Sequence, residues 1–425
     1  MNLILGKLMK DTESRTELNR IDALILEARQ KEPLSAPVVI SACDVLSRNL
    51  NEREHLPLLI QLGMSDEKAR KELQLVKRMI SKEYLEARME AEFGAPLESF
   101  LPYGEKVSVR LEWKPLGVLL HIAAGNVDAL PVFSVIEGLL TGNINILKLP
   151  GNDDILSVSI LRELIKIEPL IAWYVFVFDC PSHDTKAMKK LMHAADAIVV
   201  WGGDAAVSAV RSTTSPDTRI IEWGHKISFA YVSGSIAEAD LEGIAYNICD
   251  TDQLFCNSCQ GIFVNTDDFD EVLRFAERFM QILERTACAM PGKNDPYLTA
   301  QKTLELYTER LESAACKKRV FSTEHCSVIV YDDSLLTPSY MFRNCWVRPL
   351  PRERLLAELT AYKNHLQTTA LVCDERDKKD LETILAKTGV ARITSGARMS
   401  EGYCGMPHDG EFALRKYMKI MSYED

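Results

Sequence analysis

Residues 118–148 read VLLHIAAGNVDALPVFSVIEGLLTGNINILK. Two short apolar runs rich in branched side chains, 118–122 and 144–148, flank a segment, 131–140, whose apolar positions recur at helical spacing. Strand, helix, strand in that order is the unit from which a parallel sheet is built, because two parallel neighbours need a crossover between them. The alternation continues, with strands expected at 173–178, 197–201 and 219–222 and helices at 155–167, 185–194 and 205–211. The series predicts a mostly parallel sheet covered by helices on both faces. Such sheets bind ligands beyond the carboxyl ends of their strands, so Asn126, Lys148, Gly202 and Glu222 are the positions to inspect.

Upstream, residues 18–93 carry apolar positions three and four apart, interrupted at Pro33, Pro37, Pro57 and Gly63, which predicts several helices. Downstream lies a second α/β segment, with strands expected at 227–232, 262–264, 327–331, 368–372 and 391–394 and helices including 269–283 and 377–386. Two lobes imply a cleft, and clefts between domains are favoured ligand sites. There is no internal repeat.

The 425 residues, 47% hydrophobic and 26% charged, suit a globular chain of two or three domains. No apolar run reaches the roughly 18 residues of a spanning helix, and residues 1–10 do not read as a signal peptide, so no membrane span and a cytoplasmic location are expected. Eleven scattered cysteines in such a chain read as reduced thiols. A net charge of −11, with basic runs no longer than Lys317-Lys318-Arg319, argues against a nucleic-acid partner.

The densest chemistry is the loop 252–261, Asp-Gln-Leu-Phe-Cys-Asn-Ser-Cys-Gln-Gly, between a helical pattern at 241–249 and a strand. Its thiols, Cys256 and Cys259, admit four readings: two buried structural cysteines, half of a zinc site, a redox pair, or a nucleophile near a helix end. Zinc needs four ligands, and only Cys404 and His408 offer a further closely spaced pair. A thioredoxin-like pair belongs at a strand-to-helix turn, whereas the order here is helix to strand.

Four stretches in order resemble the aldehyde dehydrogenase superfamily. Residues 112–118 followed by Ala124-Gly125-Asn126-Val127-Asp128-Ala129-Leu130-Pro131 are similar to the segment ending in its Trp-Asn-x-Pro loop. Residues 141–150 resemble its Thr-Gly-Asn to Lys-Pro strand, Glu222-Trp223-Gly224-His225-Lys226 its Glu-Leu-Gly-Gly-Lys motif, and the thiol loop its cysteine loop. The separation of Glu222 from Cys256 is also that superfamily's spacing of acid and nucleophile, which selects Cys256 over Cys259. Within the superfamily, the Asp-Gln-x-x-Cys-x-Ser-x-Gln pattern and the ending Gly405-Met406-Pro407-His408-Asp409-Gly410 look most like the long-chain acyl-CoA reductase (LuxC-type) family.

That resemblance implies an aldehyde-dehydrogenase-like α/β fold: two Rossmann-type lobes, a helical N-terminal region and a small oligomerisation segment. The expected domains are 1–225 for the nicotinamide cofactor, with a hairpin-like oligomerisation segment near 104–114, then 226–403 carrying Cys256, then a C-terminal oligomerisation segment at 404–425. A homodimer or homotetramer is implied. The implied activity is NADPH-dependent reduction of a long-chain acyl-CoA or acyl thioester to the aldehyde, through an acyl-Cys256 intermediate, with an acyl-transferase or ligase as an alternative acyl donor. The Asn126 amide and the Cys256 backbone N–H would be the oxyanion donors, each worth about 3 kcal/mol. Glu222 would activate water in a hydrolytic enzyme, or exchange a proton with Cys256 or the leaving group in a reductase.

Lys148 would hold the adenosine ribose. Gly151 stands where members preferring NAD place an acidic side chain, which favours NADP(H) over NAD(H), although Asp153 and Asp154 lie close by. Gly202-Gly203-Asp204 resembles the turn near the pyrophosphate. Two departures stand out. The Glu-x-Phe-Gly-Pro motif has no clear match around Trp346-Val347-Arg348-Pro349, and His225 replaces a glycine beside Glu222. No metal is expected. The rival readings are a hydrolytic aldehyde dehydrogenase using NAD(P)+ and a non-catalytic or metal-binding scaffold whose cysteine pair is structural.

Overall fold

The computed structural model describes residues 1–61, 64–94, 109–123, 130–149, 155–290, 296–313 and 317–424. The chain forms two compact units, one of Met1–Leu62, Asp66–Gly224 and Cys404–Asp425, the other of Gly63–Ser65 and His225–Tyr403.

The first unit is built on a seven-stranded sheet in the order Lys7–Met9, Asn2–Ile4, Val175–Phe178, Ile144–Lys148, Val118–Ile122, Ala197–Trp201, Arg219–Trp223. The last five run parallel, and the order reverses at Val118–Ile122, as in a doubly wound dinucleotide-binding sheet. Leu119, Leu120, Ile146, Leu147, Phe176 and Val199 are fully buried, as expected of strands covered on both faces. The helix Leu130–Leu140 lies so close to this sheet that a Cβ on Gly138 would fall 1.7 Å from Asn145 Oδ1, so only glycine permits the approach. The N-terminal region is helical, with six helices among the described residues, from Asp11–Asn19 to Lys82–Phe93. An N-terminal antiparallel pair, Asn2–Ile4 with Lys7–Met9, extends the sheet and lay outside the sequence reading.

Of the segment near 104–114 expected to be hairpin-like, residues 109–114 are described; they belong to the strand Val109–Pro115, which pairs antiparallel with Met418–Glu424, from Met418 opposite Pro115 to Glu424 opposite Val109. Tyr417, just before that last strand, is fully buried among Leu119, Val199, Ile221 and Trp223. Its hydroxyl donates to Glu137 Oε2 at 3.1 Å, and Arg88 donates to the other oxygen at 2.5 Å. Nearby, buried His121 joins Ser134 Oγ (2.6 Å) to Asn145 Oδ1 (2.9 Å), and Trp201 Nε1 donates to the same Ser134 hydroxyl at 3.1 Å. Burial pushes the His121 imidazole down to about 4, partly offset by Asn145 and Glu137, so it sits in this core uncharged.

The second unit holds a sheet in the order Arg319–Ser322, Ser327–Val330, Asn344–Pro349, Cys259–Val264, Ile227–Val232, Leu366–Val372, Arg392–Thr394, all parallel except the first. One face packs against Glu238–Thr251 and Phe269–Ala289 through Ile244, Ile248, Phe279 and Leu283, all fully buried. The strand Asn344–Pro349 was not foreseen. Its Arg348 is only 4% exposed, stacks 3.9 Å over the Tyr331 ring and pairs with Asp333. Among the described residues no helix is long and apolar enough to cross a membrane.

Candidate active site

The helix Glu238–Thr251 ends on Asp252 in the left-handed region (φ 46°), and Gln253 follows at φ 61°. Two such residues in succession are costly for side chains other than glycine and persist only where surroundings hold them. Asp252, 1% exposed, accepts from Arg343 Nε at 3.1 Å and from the Phe342 backbone N–H at 2.8 Å. Arg343 also caps the carbonyls of Ala287 (3.0 Å) and Met290 (2.9 Å) at the end of a neighbouring helix. The Gln253 amide donates to Cys259 O at 2.9 Å, and Gln260 Nε2 donates back to Gln253 O at 3.1 Å. Ser339 ties in from the side through Gln260 Oε1 (2.8 Å). The loop from 252 to 260 is thus bound at both ends.

The two thiols end up in unlike places. Cys259 begins a strand, is fully buried, and burial pushes its thiol up to about 12. Cys256 is half-buried, and Gln367 Nε2 donates to its Sγ at 3.1 Å. Its carbonyl accepts from Ser228 Oγ at 2.6 Å, and that hydroxyl accepts from Thr368 N–H at 3.0 Å. Cys256 therefore sits at the amino ends of the strands Ile227–Val232, Cys259–Val264 and Leu366–Val372, opposite the carboxyl edge where open α/β sheets usually bind ligands. Gln367, from a strand 111 residues further on, was missed by the sequence reading.

In the first unit, Lys148, Gly202 and Glu222 all lie at the carboxyl edge of the parallel sheet, each at or just beyond a strand end. Lys148 is 3% exposed and donates to Ser182 Oγ at 2.9 Å; burial lowers its ammonium pKa, with Cys180 and Asp179 opposing. Gly203 caps the helix Asp204–Thr213, and a Cβ there would meet nothing within 4 Å, so the helix N-terminus opens on free space. The acidic Asp204 in the first turn would compete with an anion at that end. Glu222 is held by both oxygens: Arg211 Nη2 donates to Oε2 at 2.6 Å and Arg211 Nε donates to Oε1. This pair faces a cavity of about 640 Å3 lined by Ser215, Thr218, Glu411 and Lys416 among others. Asn126 and Gly151 lie outside the described residues.

Next to these strand ends the rings of Trp201 and Trp223 stack at 5.3 Å, His408 packs edge-on at 5.2 and 4.8 Å from them, and Lys416 lies 4.7 Å over Trp223. The ending 405–410 thus supplies an aromatic contact at the carboxyl edge. Cys404, by contrast, donates to Tyr84 O at 3.0 Å. Three residues, Gly224, His225 and Lys226, link the last strand of the first sheet to the first strand of the second. His225 lies with its ring 6.3 Å from that of His365, and Lys226 donates to Asn364 O at 2.8 Å.

Two such sheets give the fold of the aldehyde dehydrogenases. Superposition on 3,6-anhydro-L-galactose dehydrogenase gives a TM-score of 0.73 at 14% identity, covering 100% of this chain and 99% of that one. Glyceraldehyde-3-phosphate dehydrogenase GapN from Methanocaldococcus jannaschii gives 0.75 at 10% identity, covering 99% and 95%. More narrowly, residues 38–420 match the acyl-CoA reductase (LuxC) family, and the chain belongs to it. Relatives include the long-chain acyl-protein thioester reductases of Photobacterium phosphoreum, 26% identical over 381 residues (85% of this chain, 74% of that one), and Aliivibrio fischeri, 25% identical over 382 residues (85% and 75%).

Proposed function

We propose that the protein reduces long-chain acyl thioesters to aldehydes with NADPH, carrying the acyl group on Cys256. The observation that carries this reading is the pairing of a half-buried Cys256 thiol with the Gln367 amide, in a loop bound at both ends, within a chain of the acyl-CoA reductase family.

The Cys256 thiolate attacks the thioester carbonyl; the carbon–sulfur bond to CoA or a carrier thiol breaks, and that thiol leaves with a proton. The Gln367 N–H supports the thiolate before attack, since a hydrogen bond to an ionised acceptor is among the stronger kinds. Asn126 and the Cys256 backbone N–H are the proposed oxyanion donors. The dinucleotide fits the first unit in part: the free space at Gly203 suits a pyrophosphate, Gly202 admits the close approach, and Lys148 retains donors beyond its bond to Ser182 for a ribose. Gly151 is the position proposed to leave room for the 2′-phosphate. When bound, the reduced nicotinamide supplies the hydride that turns the acyl thioester carbon to the aldehyde level, and Cys256 is released as thiolate. The relatives are named for acyl-protein substrates, which favours a protein thiol as a donor alongside CoA.

The hydrolytic rival needs a carboxylate free to take a proton from water. Glu222, the residue proposed for it, has both oxygens occupied by Arg211, and that supports the reductase. The zinc or redox pair needs two thiols sharing one environment, which Cys256 and Cys259 do not.

Intact-mass analysis after incubation with acyl-CoAs of graded length, and with the same acyl groups on a carrier-protein thiol, tests the reading. One acyl adduct is expected on the wild type and on Cys259→Ala, lost in Cys256→Ala, and discharged as aldehyde on adding NADPH. An adduct that survives Cys256→Ala, or discharges as free acid, would overturn it.

A further inference from the structure

The last two turns of the helix Phe269–Ala289 and the turn between the strands Arg319–Ser322 and Ser327–Val330 bring Glu284, Cys288 and His325 together, with one ligand atom from each lying within 4.8 Å of the others. Glu284 and Cys288 stand four apart and so share a helix face. Cys288 Sγ is 3.5 Å from Glu284 Oε1. Zinc bonds of about 2.3 Å to sulfur and about 2.0–2.2 Å to oxygen, set at the tetrahedral angle, place those two atoms about 3.5 Å apart. The pair already spans one edge of such a tetrahedron.

The other carboxylate oxygen is held from behind. Cys326 Sγ donates to Glu284 Oε2 at 3.2 Å, and the Thr323 hydroxyl donates to the same atom. Outer donors of this kind fix the orientation of a metal-binding carboxylate.

We propose that Glu284 Oε1, Cys288 Sγ and a ring nitrogen of His325 bind a zinc-class divalent cation, three protein ligands with the fourth position open. A mixed oxygen, sulfur and nitrogen set suits zinc and disfavours calcium or magnesium, which take oxygen ligands. Binding breaks the Cys288 S–H bond; the proton goes to solvent and the sulfur bonds the metal. The cation would hold the same helix end whose Ala287 and Met290 carbonyls Arg343 caps, and Arg343 in turn pairs with Asp252 at the entry to the Cys256 loop.

The test uses the full chain, stripped by a chelator and titrated with Co2+ and then Zn2+. The wild type should take up about one equivalent of Co2+ with a thiolate-to-cobalt charge-transfer band that Zn2+ abolishes. Cys288→Ser should lose the band and His325→Gln should weaken Co2+ binding by about tenfold or more. Cys256→Ala should keep it. No band in the wild type, a band that persists in Cys288→Ser, or one lost in Cys256→Ala would each overturn the assignment.

Discussion

Replacing Gln367 by Leu deletes the amide that donates to Cys256 Sγ at 3.1 Å while keeping a side chain of similar size at the start of the strand Leu366–Val372. A hydrogen bond to an ionised acceptor contributes about 1.5–3 kcal/mol, and sulfur's diffuse charge puts this one near the lower end, about 1.5–2 kcal/mol. Since each 1.36 kcal/mol is a factor of ten, the thiolate population at neutral pH should fall about ten- to thirtyfold. Alkylation by iodoacetamide proceeds through the thiolate, so its rate at Cys256, followed by peptide mass analysis, should fall by the same factor. The deficit should close at alkaline pH, where the thiol ionises without help. Wild-type alkylation rates in Gln367→Leu at neutral pH would refute the role assigned to this residue, as would a deficit independent of pH.

His121 carries a second expectation. Its folded-state pKa, pushed down to about 4 by burial, lies below the ordinary 6.5, so on acidification the unfolded chain takes up the proton first. Stability is therefore undiminished above about pH 6.5 and lost as pH falls from there toward about 4, by up to about 3 kcal/mol in all. Tryptophan fluorescence in urea should show a shallower acid slope in His121→Asn than in the wild type; equal slopes would refute it. In the second unit, Arg343→Leu removes the guanidinium that pairs with the buried Asp252 carboxylate and caps the Ala287 and Met290 carbonyls, which should cost about 3–5 kcal/mol. Chemical denaturation should register the loss, with faster hydrogen exchange across 252–260, and an unchanged midpoint would contradict the bracing role.

Local pattern was enough to find Val118–Ile122, Ile144–Lys148, Ile155–Ile167, Ala197–Trp201 and Ile227–Val232, because each is a branched or periodic run ended by turn residues. Asn344–Pro349 escaped because its apolar run is only Cys345-Trp346-Val347 and ends on an arginine and a proline; Arg348 is tolerated in the interior through partners that include Tyr331 and Asp333, both distant in sequence. The order of motifs singled out Cys256, which is less buried than Cys259. Gln367 and the Arg211 clamp on Glu222 were not legible, since pairing across strands and helices is written in three dimensions and not in spacing. The same holds for the strand 109–115, whose partner lies at the opposite end of the chain.

That last pairing has a bearing on synthesis. Tyr417 and the strand Met418–Glu424 complete the unit begun at the N-terminus, while residues 225–403 form a separate unit interposed between its parts. Domains emerge from the ribosome N-terminal first. Here the strand Val109–Pro115 must wait for its partner Met418–Glu424 until the interposed unit has been made, so a unit started before that one is closed after it.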